Sequence, residues 1–221
     1  MTGINAETCI LVESKQHGAD KRFLDKLIAE RGLLLGNNFE IRTQDLNDKQ
    51  CSVEGVLDNL KYLSAGKDEV ITTGKLKNLL LIIDADESAS KRFKEIQKII
   101  RNGDIFALPS KLGKIEKVKN KINFGVYLFP DNKNKGSLES LILSCARAQF
   151  ANKRECIDQY IGCLSRNGID NGMTINNVDK SRVRIIGATP DPDNYIQNLL
   201  NIVDFNSLKL APLISFLNGI E

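Results

Sequence analysis

The sequence predicts an α/β fold: a mostly parallel β-sheet flanked by helices, followed by a helical C-terminal extension. Three observations predict it. Through residue 131, short apolar runs alternate with amphipathic stretches, the pattern of successive βα units. Residues 78–83 read Asn-Leu-Leu-Leu-Ile-Ile and are apolar at both parities, as a central strand covered on both faces must be. After residue 132, the apolar positions recur almost entirely at helical spacing.

Each element follows from its own pattern. Cys9, Ile10, Leu11 and Val12 form a short β-type run that ends in Glu13, Ser14 and Lys15. A loop containing Gly18 leads to Asp20, read as a helix N-cap. Phe23, Leu24, Leu27 and Ile28 then share one helical face, and Gly32 ends the helix. Residues 39–43 predict a half-exposed strand, and Val56, Leu57, Leu60 and Leu63 mark a helix closed by Gly66. After the central strand, Ser88 or Ser90 caps a helix that buries Phe93, Ile96, Ile99 and Ile100. Residues 124–129 predict another strand, stopped by Pro130. Beyond it, helices are expected through Leu138, Leu141, Ile142 and Cys145, through Ile157, Tyr160, Ile161 and Leu164, and over residues 208–217. The lysine-rich residues 111–121 carry no interleaved aromatics and read as a solvated surface. The organisation expected is a core over residues 1–132 with a mainly helical extension, 133–221, packed on it.

Composition narrows the function classes. A chain of 221 residues is long enough to bury a full core without disulfides or structural metal. The net charge of +3 is too small to imply nucleic-acid binding by itself. Five cysteines form no CxxC pair and His17 is the only histidine, which argues against a Cys/His zinc site. The scattered cysteines read as buried thiols in a reducing compartment, Cys156 and Cys163 as core positions of one helix face. The longest apolar run, residues 79–83, is too short to span a bilayer, and the first ten residues lack a signal-peptide pattern. A cytoplasmic protein with no membrane association is the expectation.

The chemistry-bearing residues are acidic. In parallel sheets, ligands bind beyond the carboxyl ends of the strands, and three predicted strands end in Glu13, in Asp84 with Asp86, and in Asp131. Strand alternation is expected to place Asp84 and Asp86 on one side of the chain. Carboxylates crowded together repel one another, and a hard divalent cation, Mg²⁺ or Mn²⁺, neutralises them with oxygen ligands. Glu13, Asp84 and Asp86 are therefore the expected metal site. His17 lies nearby without an identifiable orienting partner and reads as a loop residue.

These residues resemble a known family. Leu11-Val12-Glu13 followed by Asp20-Lys21 is similar to the strand-end glutamate motif of Toprim domains, and Leu81-Ile82-Ile83-Asp84-Ala85-Asp86 to their Asp-x-Asp motif. Residues 127–132, Gly136-Ser137-Leu138-Glu139 and Val178-Asp179-Lys180 resemble the spaced motifs of small stand-alone Toprim-related proteins. The nucleases of overcoming-lysogenization-defect type are a more distant likeness. The resemblance covers residues 8–190 and implies a Toprim-like, Rossmann-like fold. It implies Glu13 as general acid or base or metal ligand, and Asp84 and Asp86 as holders of Mg²⁺. Glu139 would complete a second metal position, and Lys180 would neutralise charge developing on a phosphate. Serine stands at 14 where Toprim proteins usually carry the glycine that admits a ligand close to the backbone.

The implied function is a metal-dependent, nuclease-like protein acting on phosphodiesters, with nucleic acid or a nucleotide as partner. A non-catalytic module that binds nucleic acid or protein is the alternative. A phosphatase of haloacid-dehalogenase type, suggested by Asp84-Ala85-Asp86-Glu87-Ser88, ranks below both, because that family places its motif early and needs a later acidic pair.

Overall fold

A computed structural model describes residues 6–13, 18–35, 38–43, 52–66, 68–168, 175–189 and 192–220. Ser14, His17 and Cys51 lie outside the described residues. The α/β class read from the sequence is the one observed. Among the described residues, the sheet has five strands in the order β2-β1-β3-β5-β4. These are β1 (Thr8–Val12), β2 (Phe39–Arg42), β3 (Asn78–Asp84), β4 (Ile115–Glu116) and β5 (Asn123–Phe129). All pairings are parallel except that of β4, a two-residue antiparallel edge on β5. The sheet is flanked by helices and followed by a helical C-terminal region, a Rossmann-like arrangement.

Register is pinned at the amino-terminal rim. The Asn78 amide donates to Thr8 Oγ1 at 3.1 Å, and that of Asn123 to Asn78 Oδ1 at 2.8 Å. Side-chain alternation then sorts the strands between two apolar layers. Ile10, Val12, Leu80, Ile82, Tyr127 and Phe129 face one layer, with α1 (Ala19–Arg31) and the C-terminal helices. Cys9, Leu11, Leu79, Leu81, Ile83 and Val126 face the other, with α2 (Val53–Ser64) and α4 (Ala89–Gly103). A short helix, α3 (Glu69–Thr72), lies between α2 and β3. All seven residues of β3 are buried, which explains its unbroken aliphatic run.

The C-terminal helices are α5 (Leu138–Ser144), α6 (Ala151–Arg166), α7 (Ile175–Ala188), α8 (Tyr195–Ile202) and α9 (Ala211–Asn218). Leu141, Ile142, Val183, Ile186, Leu199, Leu213 and Phe216 join the first apolar layer directly. Gly125 permits this approach: a Cβ there would lie 2.8 Å from Phe216 Cε2 and from Ile115 Cγ1.

Outside the site, the structure differs from the sequence reading in four places. Gly18, not Asp20, is the N-cap of α1, and Asp20 is the second helical residue. Ile115 and Glu116 form an edge strand within the lysine-rich segment read as surface. Helices α7 and α8 were not predicted, because their buried positions are interleaved with polar residues. Cys156 and Cys163 are exposed on α6 and not in the core, whereas Cys9 and Cys145 are buried. No helix among the described residues is long and apolar enough to cross a membrane.

Candidate active site

Strands β1 and β3 are adjacent and parallel, with Val12 opposite Ile82, so both chains leave the sheet at the same rim. Glu13 follows β1 directly, and Asp84 is the last residue of β3. Two carboxylates about 70 residues apart in the chain are thereby brought to one edge.

Asp84 is buried, with 6% of its surface exposed. Its Oδ1 accepts the Leu138 amide at 2.9 Å, and its Oδ2 lies 3.7 Å from Lys180 Nζ. The Leu138 amide belongs to the first turn of α5, where free N–H groups favour an anion. Burial, then Glu139, push the Asp84 carboxyl up to about 7, against the pull of Lys180 and the Leu138 amide.

The same first turn carries Glu139 and holds α7. Ser137 Oγ donates to Glu139 Oε2 at 2.7 Å, and Ser140 Oγ donates to Asp179 Oδ2 at 2.7 Å. Asp179 also accepts from Arg182 at 2.9 Å, and Arg182 donates to Asp158 of α6 at 2.6 Å. This lattice fixes the turn of α7 that delivers Lys180 to Asp84. Gly136 makes the approach to α5 possible: its φ of 142° belongs to glycine, and a Cβ would sit 2.8 Å from Ser140 Oγ.

Glu13 is half-buried, and its Oε2 has no hydrogen-bond partner among the described residues. Burial, then Asp84 and Asp86, push its carboxyl up to about 8; Lys180 and Arg92 offset only part of this. Asp20 joins the group from α1. Desolvation by its packed surroundings, then Asp84, Glu139 and Glu13, hold its carboxyl well above the usual carboxylate range. For Lys180, burial works against the charge. Asp84, Glu139, Glu13 and Asp86 outweigh it and hold the ammonium above its ordinary value.

The structure therefore brings Glu13, Asp84, Glu139 and Lys180 into one electrostatic cluster and adds Asp20, which the sequence reading had taken for a cap. Asp86 acts on the same cluster through its charge, but its carboxylate is paired with Arg92. The strand ends at Asp84, and Asp86 has φ 52°, so the alternation expected to align the two aspartates no longer operates. An antiparallel bridge to Gly136 holds its backbone, and its Oδ2 accepts from Arg92 at 2.9 Å. Asp131 is absorbed by its own turn. Burial disfavours its charge, yet the Asn134 amide and side chain and the Lys133 amide hold its carboxyl below the usual range.

Whether these residues suit a divalent cation depends on donors and charge. Among the described residues, no three His, Cys, Asp or Glu side chains are already gathered as a metal-holding group. Mg²⁺, however, is commonly bound through one or two carboxylates, with water and substrate phosphate supplying the remaining ligands. The donors here are all oxygen, Glu13 Oε2 is buried without a partner, and Lys180 is the only cation within ion-pair distance of Asp84 among the described residues. The donor set fits a hard divalent cation.

In comparisons with known proteins, the model of a family described as a protein of unknown function, DUF3226, matches residues 7–221. No curated protein and no solved structure matches the chain.

Proposed function

Starting from the premise that the chain belongs to DUF3226, a family of unknown function, we propose that it is a Mg²⁺- or Mn²⁺-dependent, nuclease-like protein of Toprim type that acts on phosphodiesters. The observation that carries this reading is the convergence of Glu13 and Asp84 from adjacent parallel strands, with both carboxyls pushed towards neutrality. Crowding that raises two acids in this way is relieved when a cation takes the place of their protons.

Asp84, with Glu139 and Asp86 beside it, would hold the cation, and Glu13 would share in this or act as a base. When bound, Mg²⁺ supplies a Lewis acid for phosphoryl oxygens. Glu13, with a carboxyl near 8, is matched to accept a proton from an attacking water near neutral pH. Lys180 favours the ionised form of Asp84, against burial and Glu139, and would place a positive charge where a phosphate gains negative charge. Asp179, fixed by Ser140 and Arg182, positions that lysine. Asp20 lies close enough to Asp84, Glu139 and Glu13 to share in the charge balance of the rim.

The lack of three preassembled ligands among the described residues favours a second reading, a non-catalytic module that binds nucleic acid or protein. Incubation with plasmid, single-stranded DNA and RNA in Mg²⁺ or Mn²⁺ separates the two. Cleavage that disappears on chelation and in Asp84→Asn supports the enzyme. Binding without cleavage, unaltered by Asp84→Asn, supports the module.

A further inference from the structure

Beside the acidic rim, the seam between α2 and α4 is open. One cavity of about 410 Å³ is lined by Lys61, Ser64, Lys98 and Gly103 among others. A second, of about 620 Å³, shares Glu95 and Lys98 with it and reaches Asp86, Lys91, Arg92 and Lys94. Together they form a groove that starts at the acidic rim and runs along α4 towards its C-terminal end. Gly103 closes that far end, where a side chain would collide with the Ser64 carbonyl.

The charges along this groove are unevenly matched. Arg92 is engaged by Asp86 and Glu95, each at 2.9 Å, and Lys61 by Asp58 at 2.8 Å. Lys91, Lys94 and Lys98 are exposed and make no ion pair with any described residue. They fall three and four residues apart, so they share one face of α4 and span about 10 Å along its axis. Like charges at this spacing repel each other. Glu95, the acid between them on the helix, is already taken by Arg92, and Glu54 and Glu87 also line the second cavity without an ion pair to these lysines.

We infer that this groove carries the flanking backbone of a single-stranded nucleic acid, with Lys91, Lys94 and Lys98 contacting its phosphates, while the scissile phosphodiester lies at the acidic rim. The inference rests on the phosphodiester reading above and adds the substrate class and its path. The three lysines form a single row about 10 Å long on one helix face, which follows one phosphate backbone. Among the described residues, no aromatic side chain lines either cavity, so none offers the bases a stacking platform. Binding is therefore carried by phosphates, tolerant of sequence and steeply dependent on salt.

The test is titration of the full chain against fluorescein-labelled oligo(dT) and oligo(rU) in EDTA, across a series of KCl concentrations. The triple variant Lys91→Gln, Lys94→Gln, Lys98→Gln should bind at least about 10-fold more weakly at low salt. Its log–log salt slope should be shallower by about 2, since each phosphate contact on a single strand contributes about 0.7. A charge-matched control, Lys111→Gln, Lys117→Gln, Lys119→Gln, should bind as the parent does. The inference is overturned if the parent does not bind either oligonucleotide, or if both triple variants lose affinity equally. It is also overturned if anionic phosphatidylglycerol vesicles or a poly-glutamate peptide bind as tightly as the oligonucleotides. Salt-dependent binding through these lysines without any cleavage in Mn²⁺ would leave the groove standing and refute the nuclease.

Discussion

The two faces of the sheet carry opposite electrostatic arrangements at the same rim. On the face covered by α1 and the C-terminal helices, Asp84 continues the line of Leu80 and Ile82 and meets Lys180, with Glu139 close enough to shift it and Asp20 shifted in turn by both acids. On the face covered by α2 and α4, the rim leads into the groove of Lys91, Lys94 and Lys98. Glu13 stands between them. Its strand parity follows Cys9 and Leu11 towards the α4 side, and the ladder places it one residue short of Asp84. Its carboxyl accordingly responds to Asp84 and Lys180 on one side and to Asp86 and Arg92 on the other. The difference teaches that a one-residue offset between parallel neighbours is enough to divide a site between a charge-concentrating face and a charge-accepting one. It also explains why the acids approach one another without already forming a three-ligand cage.

The largest effects should come from the acidic face. Asp84→Asn should reduce metal-dependent cleavage by about 10³-fold, the scale set by removal of a preorganised electrostatic group, while circular dichroism stays unchanged. If Lys91→Gln reduced cleavage as severely as Asp84→Asn, the division of labour between the faces would fail.

Lys180→Met removes the cation 3.7 Å from Asp84. Cleavage should fall by about 10–100-fold, and the acid limb of the pH–rate profile should move to higher pH, because Asp84 would lose a neighbour that favours its ionised form. Asp179→Asn should produce a smaller shift in the same direction, since it loosens the helix turn that presents Lys180. Reduced rates with an unmoved pH profile would assign these residues to folding alone.

A stability measurement sharpens the role of Glu13. Its folded carboxyl titrates near 8, against 4.5 as a free side chain. Between those values the native state holds more protons than the unfolded chain, so stability falls as pH rises through this window. Glu13→Gln, which imitates the protonated acid, should therefore raise Tm at pH 8.5 in EDTA. A gain of about 1–2 kcal/mol would appear as about 2–8 °C for a chain of this length. At pH 4, the advantage should vanish. An equal gain at both pH values would show that the effect is packing and not charge.

The smallest effect is expected in the lysine-rich segment around β4. Lys114 pairs with Glu116 and Lys121 with Asp104, so Lys119→Gln should leave cleavage, binding and Tm unchanged within error.

How much of this was legible depended on how far each signal reaches along the chain. Strand β3 was readable because it is buried on both faces, and its two parities therefore carry the same message. The rim position of Glu13 and Asp84 followed from parallel strand order alone. Asp20 was misread because its local setting, just before an apolar helix, is that of a cap; only the tertiary fold brings Asp84 and Glu139 near it. Asp86 was misaligned because period-two logic stops at the residue where φ becomes positive. Helices α7 and α8 bury Val183, Ile186, Leu199, Leu200 and Ile202 among many polar positions, which dilutes their periodicity. The groove along α4 was invisible for a related reason. Three lysines on a helix look like any solvated face until their partners are found to be engaged elsewhere.

The most direct test of the central claim is a crystal soaked in Mn²⁺ and measured for anomalous scattering. The account predicts a peak at the carboxyl rim, within about 2.0–2.6 Å of an Asp84 oxygen and of at least one oxygen from Glu13, Glu139 or Asp86. A rim without a peak at saturating Mn²⁺, or a cation bound only at a surface remote from Asp84, would contradict it.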